Sequence, residues 1–166
     1  MDIELAGKAF VEALAELSDL TDEVPDGSEH EFGREAARTS LAPIAWSRAV
    51  GDRLDTTAVQ SLLGVTRQSL AKRVQVGSLL GLPGKGTTHY PTWQFDLPRQ
   101  AVRPEAQKIL RLFKRHDEYD PYMVAAWMRT PNEALGGAAP AELLENGKEV
   151  NAILEAAGET AKRWAS

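Results

Sequence analysis

The sequence predicts a mainly α-helical protein with one short extended segment, and three observations carry that expectation. Apolar residues recur at three- and four-residue spacing along most of the 166 residues. Capping and breaking residues stand where those runs start and stop. One stretch, GLPGKGTTHYPTWQFD (81–96), changes character: glycines and threonines give way to TWQF, the pattern of a short hairpin or extended wing.

Ile3, Ala6, Phe10, Leu14 and Leu17 place an amphipathic helix over 3–18. LTDEVPDGSEHEFG (20–33) reads as an acidic connection. A second helical region covers 34–53, with Pro43 in the first turn of its later half and Gly51 near its end. Residues 56–76 predict two short helices around a tight turn. Asp55 or Thr56 caps the first, which carries Val59, Leu62 and Leu63. Gly64-Val65 supplies the turn, and Thr66 caps RQSLAKRVQV. Leu70 and Val74 lie four apart and face inward, with Ala71 leaving room for a close approach. In the wing, Trp93 and Phe95 are expected to alternate onto one face.

The final third returns to helix. Pro104 opens a helix striped by Ile109, Leu110 and Phe113. Asp120-Pro121 starts the next, a capping carboxylate followed by Pro at the first helical position. It carries Val124, Trp127 and Met128 and stops near Thr130, because Pro131 disfavours helix in its neighbour. Ala139-Pro140 opens a short helix ending at Asn146-Gly147. The last helix sets Val150, Ile153, Leu154, Ala157, Ala161 and Trp164 on one side.

The net charge of −5 conceals an asymmetry. Residues 1–55 hold thirteen acids and five bases, residues 56–95 four bases and no acid, and residues 96–166 eleven acids and ten bases. Pattern and charge together mark an acidic helical N-terminal region (1–55), a helix-turn-helix with a wing-like segment (56–96) and a compact helical C-terminal domain (104–166). A basic island in an acidic protein is where a polyanion would be held. The second helix of such a pair enters the major groove N-terminus first. That puts Arg67 and Gln68 at base edges and Lys72 and Arg73 one turn later, with Lys85 and His89 of the wing near the backbone. The competing reading of 56–76 is a solvated helix hairpin in an all-α protein.

Other chemistries find little support. The chain has no cysteine and three histidines, His30, His89 and His116, none with a His partner at helical metal-binding spacing. GLPGKGTTH lacks the spacing of a phosphate loop and no apolar strand precedes it. No catalytic residue, metal ligand or cofactor is therefore expected, and the chain reads as non-enzymatic. MDIELAGKAF lacks the basic start of a signal peptide, and no apolar run reaches bilayer length, so the expected location is cytoplasmic. Trp164 has two readings, a partner-binding anchor or a residue docked on the core.

The tail carries a resemblance. W-M-x-T-P-N-x-x-L-G-G-x-x-P-x-E-L-L-x-x-G (Trp127 to Gly147), followed by Val150, resembles the toxin-binding domain of Xre/MbcA/ParS-type antitoxins. YPTWQFD (90–96) resembles the segment that precedes this domain in many members. Trp127, Pro131, Leu135, Gly136, Gly137, Pro140 and Leu143 match the motif and read as architectural, the prolines setting helix boundaries and the glycines a turn. The resemblance implies an antitoxin that neutralises a RES-domain, NAD-consuming toxin, with the end of the chain close to the toxin's NAD pocket. It points to Glu149, Asn151, Lys162, Arg163 and Trp164 as toxin contacts. It also implies a homodimer, or a hetero-oligomer with the toxin, that represses its own operon through operator DNA. Residues 56–96 look closer to a MerR-like or winged module than to the Xre repressor type. The alternative is a DNA-binding regulator without a toxin, whose C-terminal domain only assembles the oligomer.

Overall fold

Short strands and capped helices alternate in the first half of the structure, and helices alone build the second. The computed structural model describes residues 48–84, 86–115 and 120–165, which belong to the compact unit Ala45–Ser166. The expected helix over 3–18, the acidic connection over 20–33, and His30, Lys85 and His116 lie outside the described residues. The described part is mainly helical with a small sheet. Of the helical region expected over 34–53, residues 48–50 are helical; Gly51 (φ +75°) ends it, and Arg53 already belongs to a strand.

That strand, β1 (Arg53–Asp55), leads without a break into helix α1 (Thr56–Leu63). Asp55 does both jobs: it is the last strand residue, and its carboxylate accepts from the Ala58 amide at 2.8 Å. Gly64 ends α1 in the left-handed region (φ +63°), as a C-capping glycine does. Thr66 caps α2 (Arg67–Gln75) by accepting from the Ser69 amide at 3.2 Å. After α2 the chain forms the hairpin β2 (Leu82–Pro83) and β3 (Thr88–Pro91). The sheet order is β1-β3-β2, all antiparallel, with Leu54 opposite Tyr90 and Leu82 opposite His89. The Thr56 hydroxyl donates to the Thr88 carbonyl at 3.2 Å, tying the start of α1 to β3.

The expectation that Trp93 and Phe95 share one face is wrong. Thr92–Gln94 is a 3-10 turn, so the two rings leave in different directions. Trp93 joins a core with Val50, Leu80, Leu82 and the C-terminal helices. Phe95, at the start of β4 (Phe95–Asp96) paired with β5 (Ala101–Val102), joins Val59, Leu70, Leu79, Tyr90 and Val102. Leu79 and Leu80 divide the same way. The seam between the two cores therefore runs through residues 79–80 and 93–95. Gln94 pins it: fully buried, its carbonyl accepts from the Leu80 amide at 2.8 Å, and its amide donates to Leu80 O at 3.0 Å and Pro91 O at 3.1 Å. The side chain thus pairs with Leu80 as a neighbouring strand would.

The second half is α3 (Pro104–Lys114), α4 (Pro121–Arg129), a 3-10 turn (Glu133–Leu135), α5 (Pro140–Glu145) and α6 (Val150–Trp164). Ala106, Ile109, Leu110 and Phe113 face inward on α3, and Ile153, Ala157 and Ala161 meet them from α6. Small residues on α6 let the two helices approach closely. Among the described residues, no helix is long and apolar enough to cross a membrane, and no group of acids and histidines could hold a metal ion.

Candidate functional site

The helix pair and hairpin form the first site. Arg67, Gln68 and Lys72 are exposed on α2 and Arg73 is half-buried, while Leu70 is fully buried and Val74 half-buried beneath them. Ala71 does not sit at a close packing contact, as expected from sequence; it is exposed. With Arg67, Val74, Pro83, Thr88 and Tyr90 it lines an open cleft of about 300 Å³ between α2 and the hairpin. The hairpin turn is closed by the Gly84 amide donating to the Thr87 carbonyl at 2.9 Å, with Gly86 at φ +78°. It joins strand to strand, whereas a phosphate loop joins strand to helix.

The second site is the corner between α4 and α6. Asp120 caps α4 through the amides of Tyr122 (2.8 Å) and Met123 (3.4 Å). The Tyr122 hydroxyl donates to the Pro83 carbonyl, joining α4 to the hairpin. Beyond Thr130, the exposed Pro131 leads to Asn132, whose polar groups organise the loop. Its side chain accepts from Ala134 N at 3.0 Å, its carbonyl from Gly137 N at 2.9 Å, and its own amide donates to Ala138 O at 3.1 Å. Asn132 belongs to the quoted motif but was not singled out from sequence; its place before a turn was the available signal.

Gly136 (φ +66°) and Gly137 (φ +82°) take the left-handed region in succession, and a Cβ at either would meet nothing within 4 Å. Their requirement is therefore backbone freedom, not space. We expect Gly137→Ala to cost about 1–2 kcal/mol of stability. Urea unfolding against wild type checks this, and a midpoint unmoved by the substitution would contradict it. Pro140 is buried at the first turn of α5, and Leu135 and Leu143 are half-buried against the core. Gly147 (φ +64°) and Glu149 (φ +53°) then turn the chain into α6.

Phe113 of α3 holds the end of α6. Its ring lies 5.2 Å from Trp127 in an edge-on contact and 5.2 Å from Trp164 in a tilted one. Trp164 is half-buried in this cluster, so docking on the core accounts for much of its surface. Asn151, Lys162 and Arg163 are exposed on the outer side of the helix, and Glu149 is exposed at its start. Lys162 lies 2.8 Å from Glu159. Hydrogen bonding to that ammonium, and then its charge, hold the Glu159 carboxyl below its ordinary value. The Arg163 guanidinium donates to the Thr160 hydroxyl at 3.3 Å.

These features define a class: a helical module in which prolines and glycines set the corners and aim a terminal helix. Residues 119–156 match the family model described as the antitoxin Xre/MbcA/ParS C-terminal toxin-binding domain. The matched segment contains α4, the Asn132 loop, α5 and the first half of α6. YPTWQFD and the helix pair lie outside the match. No curated protein and no solved structure matches the chain.

Proposed function

We propose that this chain is the antitoxin of a type II toxin–antitoxin system. Its C-terminal domain, residues 104–166, binds and inhibits a RES-domain, NAD-degrading toxin by covering the active site. Residues 56–96 bind operator DNA and repress the operon, and the protein acts in the cytoplasm as a homodimer or as a hetero-oligomer with its toxin. The observation that carries the reading is the match of residues 119–156 to an antitoxin toxin-binding domain.

The toxin-contact assignment rests on the exposed α6 positions Asn151, Lys162 and Arg163, together with Glu149 and the open edge of Trp164. Support for DNA binding comes from the two capped helices joined by a three-residue turn. Exposed Arg67, Gln68 and Lys72 project beside a hairpin, in an acid-free stretch that also contains Arg73 and Lys85. No step in this function asks the chain to do chemistry; the reaction belongs to the toxin.

Co-expression with a RES-domain protein encoded beside it tests the proposal. The expected result is rescue of growth and a co-purifying complex. Failure of both overturns the antitoxin assignment and leaves a DNA-binding regulator with an oligomerisation domain. Two sets of variants separate the surfaces. Arg67→Ala and Lys72→Ala should weaken operator binding at fixed salt while neutralisation persists. Deleting residues 160–166 should release the toxin while DNA binding persists.

A further inference from the structure

Basic charge continues past the helix pair onto α3, where neither the core nor the proposed reading helix uses it. Residues 97–115 hold six bases and one acid. Arg99 is engaged with Asp96 at 3.4 Å, and Arg103 donates to the Phe95 carbonyl at 3.1 Å. Lys108 and Arg111 on α3, with Arg115 just past its end, follow at i, i+3 and i+7, on the side opposite Ile109, Leu110 and Phe113. All three are exposed, and none makes an ion pair among the described residues.

Two ordinary explanations account for only part of this stripe. Bases in the last turn complement the helix dipole, but Lys108 lies in the middle of α3. Exposed helices also carry bases in i,i+3 or i,i+4 pairs with acids, as Glu159 and Lys162 do on α6. Lys108 has Glu105 three residues before it, but Arg111 has the opposite arrangement, with Lys108 before it and Arg115 after it at those spacings. Like charges so placed repel one another, and a polyanion relieves the repulsion.

The stripe also adjoins the helix pair. The Gly77 turn that follows α2 lies against Lys114, whose Cβ and Cγ stand 2.9 Å from where a Gly77 Cβ would be. Lys72 and Arg73 occupy the last turn of α2. Basic side chains therefore run from α2 across this turn to α3.

We propose that Lys108, Arg111 and Arg115 form a second strip of phosphate contacts, extending the duplex footprint beyond α2 and the hairpin. The proposal rests on the DNA-binding reading of residues 56–96. The strip holds backbone rather than bases, so it adds affinity without sequence preference.

The test uses the full chain and two duplexes of equal length: the region upstream of its own reading frame and a mixed sequence. Affinity is measured over a salt series. Each phosphate contact contributes about 0.9 to the slope of log K against log salt. K108A/R111A/R115A should flatten the slope by roughly 2–3 and weaken both duplexes alike, by about tenfold or more. The charge-preserving K108R/R111K/R115K should keep the wild-type slope. If wild type binds and Arg67→Ala weakens binding, but the triple alanine variant keeps affinity and slope, the strip is overturned and the DNA reading stands. Loss of toxin complex with unchanged DNA binding overturns it in favour of a protein contact. No binding of wild type to either duplex overturns the DNA reading itself.

Discussion

Gln94→Leu is expected to destabilise the protein by about 3 kcal/mol or more, although it replaces a polar side chain with an apolar one in a buried position. Gln94 satisfies three backbone groups, Leu80 N, Leu80 O and Pro91 O, in a place closed to solvent. Leu restores none of them, and each buried group left without a partner costs about 1–3 kcal/mol. The loss is concentrated at the seam where Leu79 and Leu80, and Trp93 and Phe95, part into separate cores. Both cores should therefore loosen together. Urea unfolding followed at the tryptophans, with amide exchange at Leu80, measures it. A midpoint shifted no more than by an exposed control such as Gln68→Leu would show that the seam does not depend on this side chain.

Phe113→Ala should cost about 3–5 kcal/mol, the range for truncating a buried aromatic ring. The variant removes the ring that Trp127 and Trp164 both pack against. It therefore frees the last turn of α6 as well as opening a cavity. Trp164→Ala should cost less, since its ring is only half-buried. The pair of variants divides stability from recognition. If α6 must be held to meet the toxin, Phe113→Ala should weaken neutralisation even at a temperature where it remains folded. Full neutralisation by folded Phe113→Ala protein would show that the toxin captures α6 without a pre-set position.

Local features were the most legible part of the sequence. The caps at Asp55, Thr66 and Asp120, the helix openings at Pro104, Pro121 and Pro140, and the glycine corners at 64, 136, 137 and 147 all stand where the residue types placed them. Each depends on a hydrogen bond or dihedral set within a few residues, so neighbours in sequence suffice to decide it. The motif from Trp127 to Gly147 was legible for the same reason, and the family match to residues 119–156 includes all of it.

Non-local features were not legible. β1, whose first residue fell at the end of an expected helical region (34–53), was not foreseen because its partner, β3, comes 33 residues after it in the chain (Asp55 to Thr88) and supplies the pairing. TWQF kept the alternation of a strand, yet Thr92–Gln94 folded as a 3-10 turn and only Phe95 entered a strand, because the two cores and Leu80 claim the three large side chains separately. Phe113 showed only as part of a stripe, and nothing in its spacing named Trp127 and Trp164 as its partners. The sequence by itself determined where most of the described helices start and stop, and which end of the chain matches a toxin-binding-domain family. Only the tertiary structure decided that a buried Gln94 joins two cores, and that Lys108, Arg111 and Arg115 lie near the helix pair with no ion pair among the described residues. Capping energies are local; burial and charge juxtaposition depend on which distant surfaces meet.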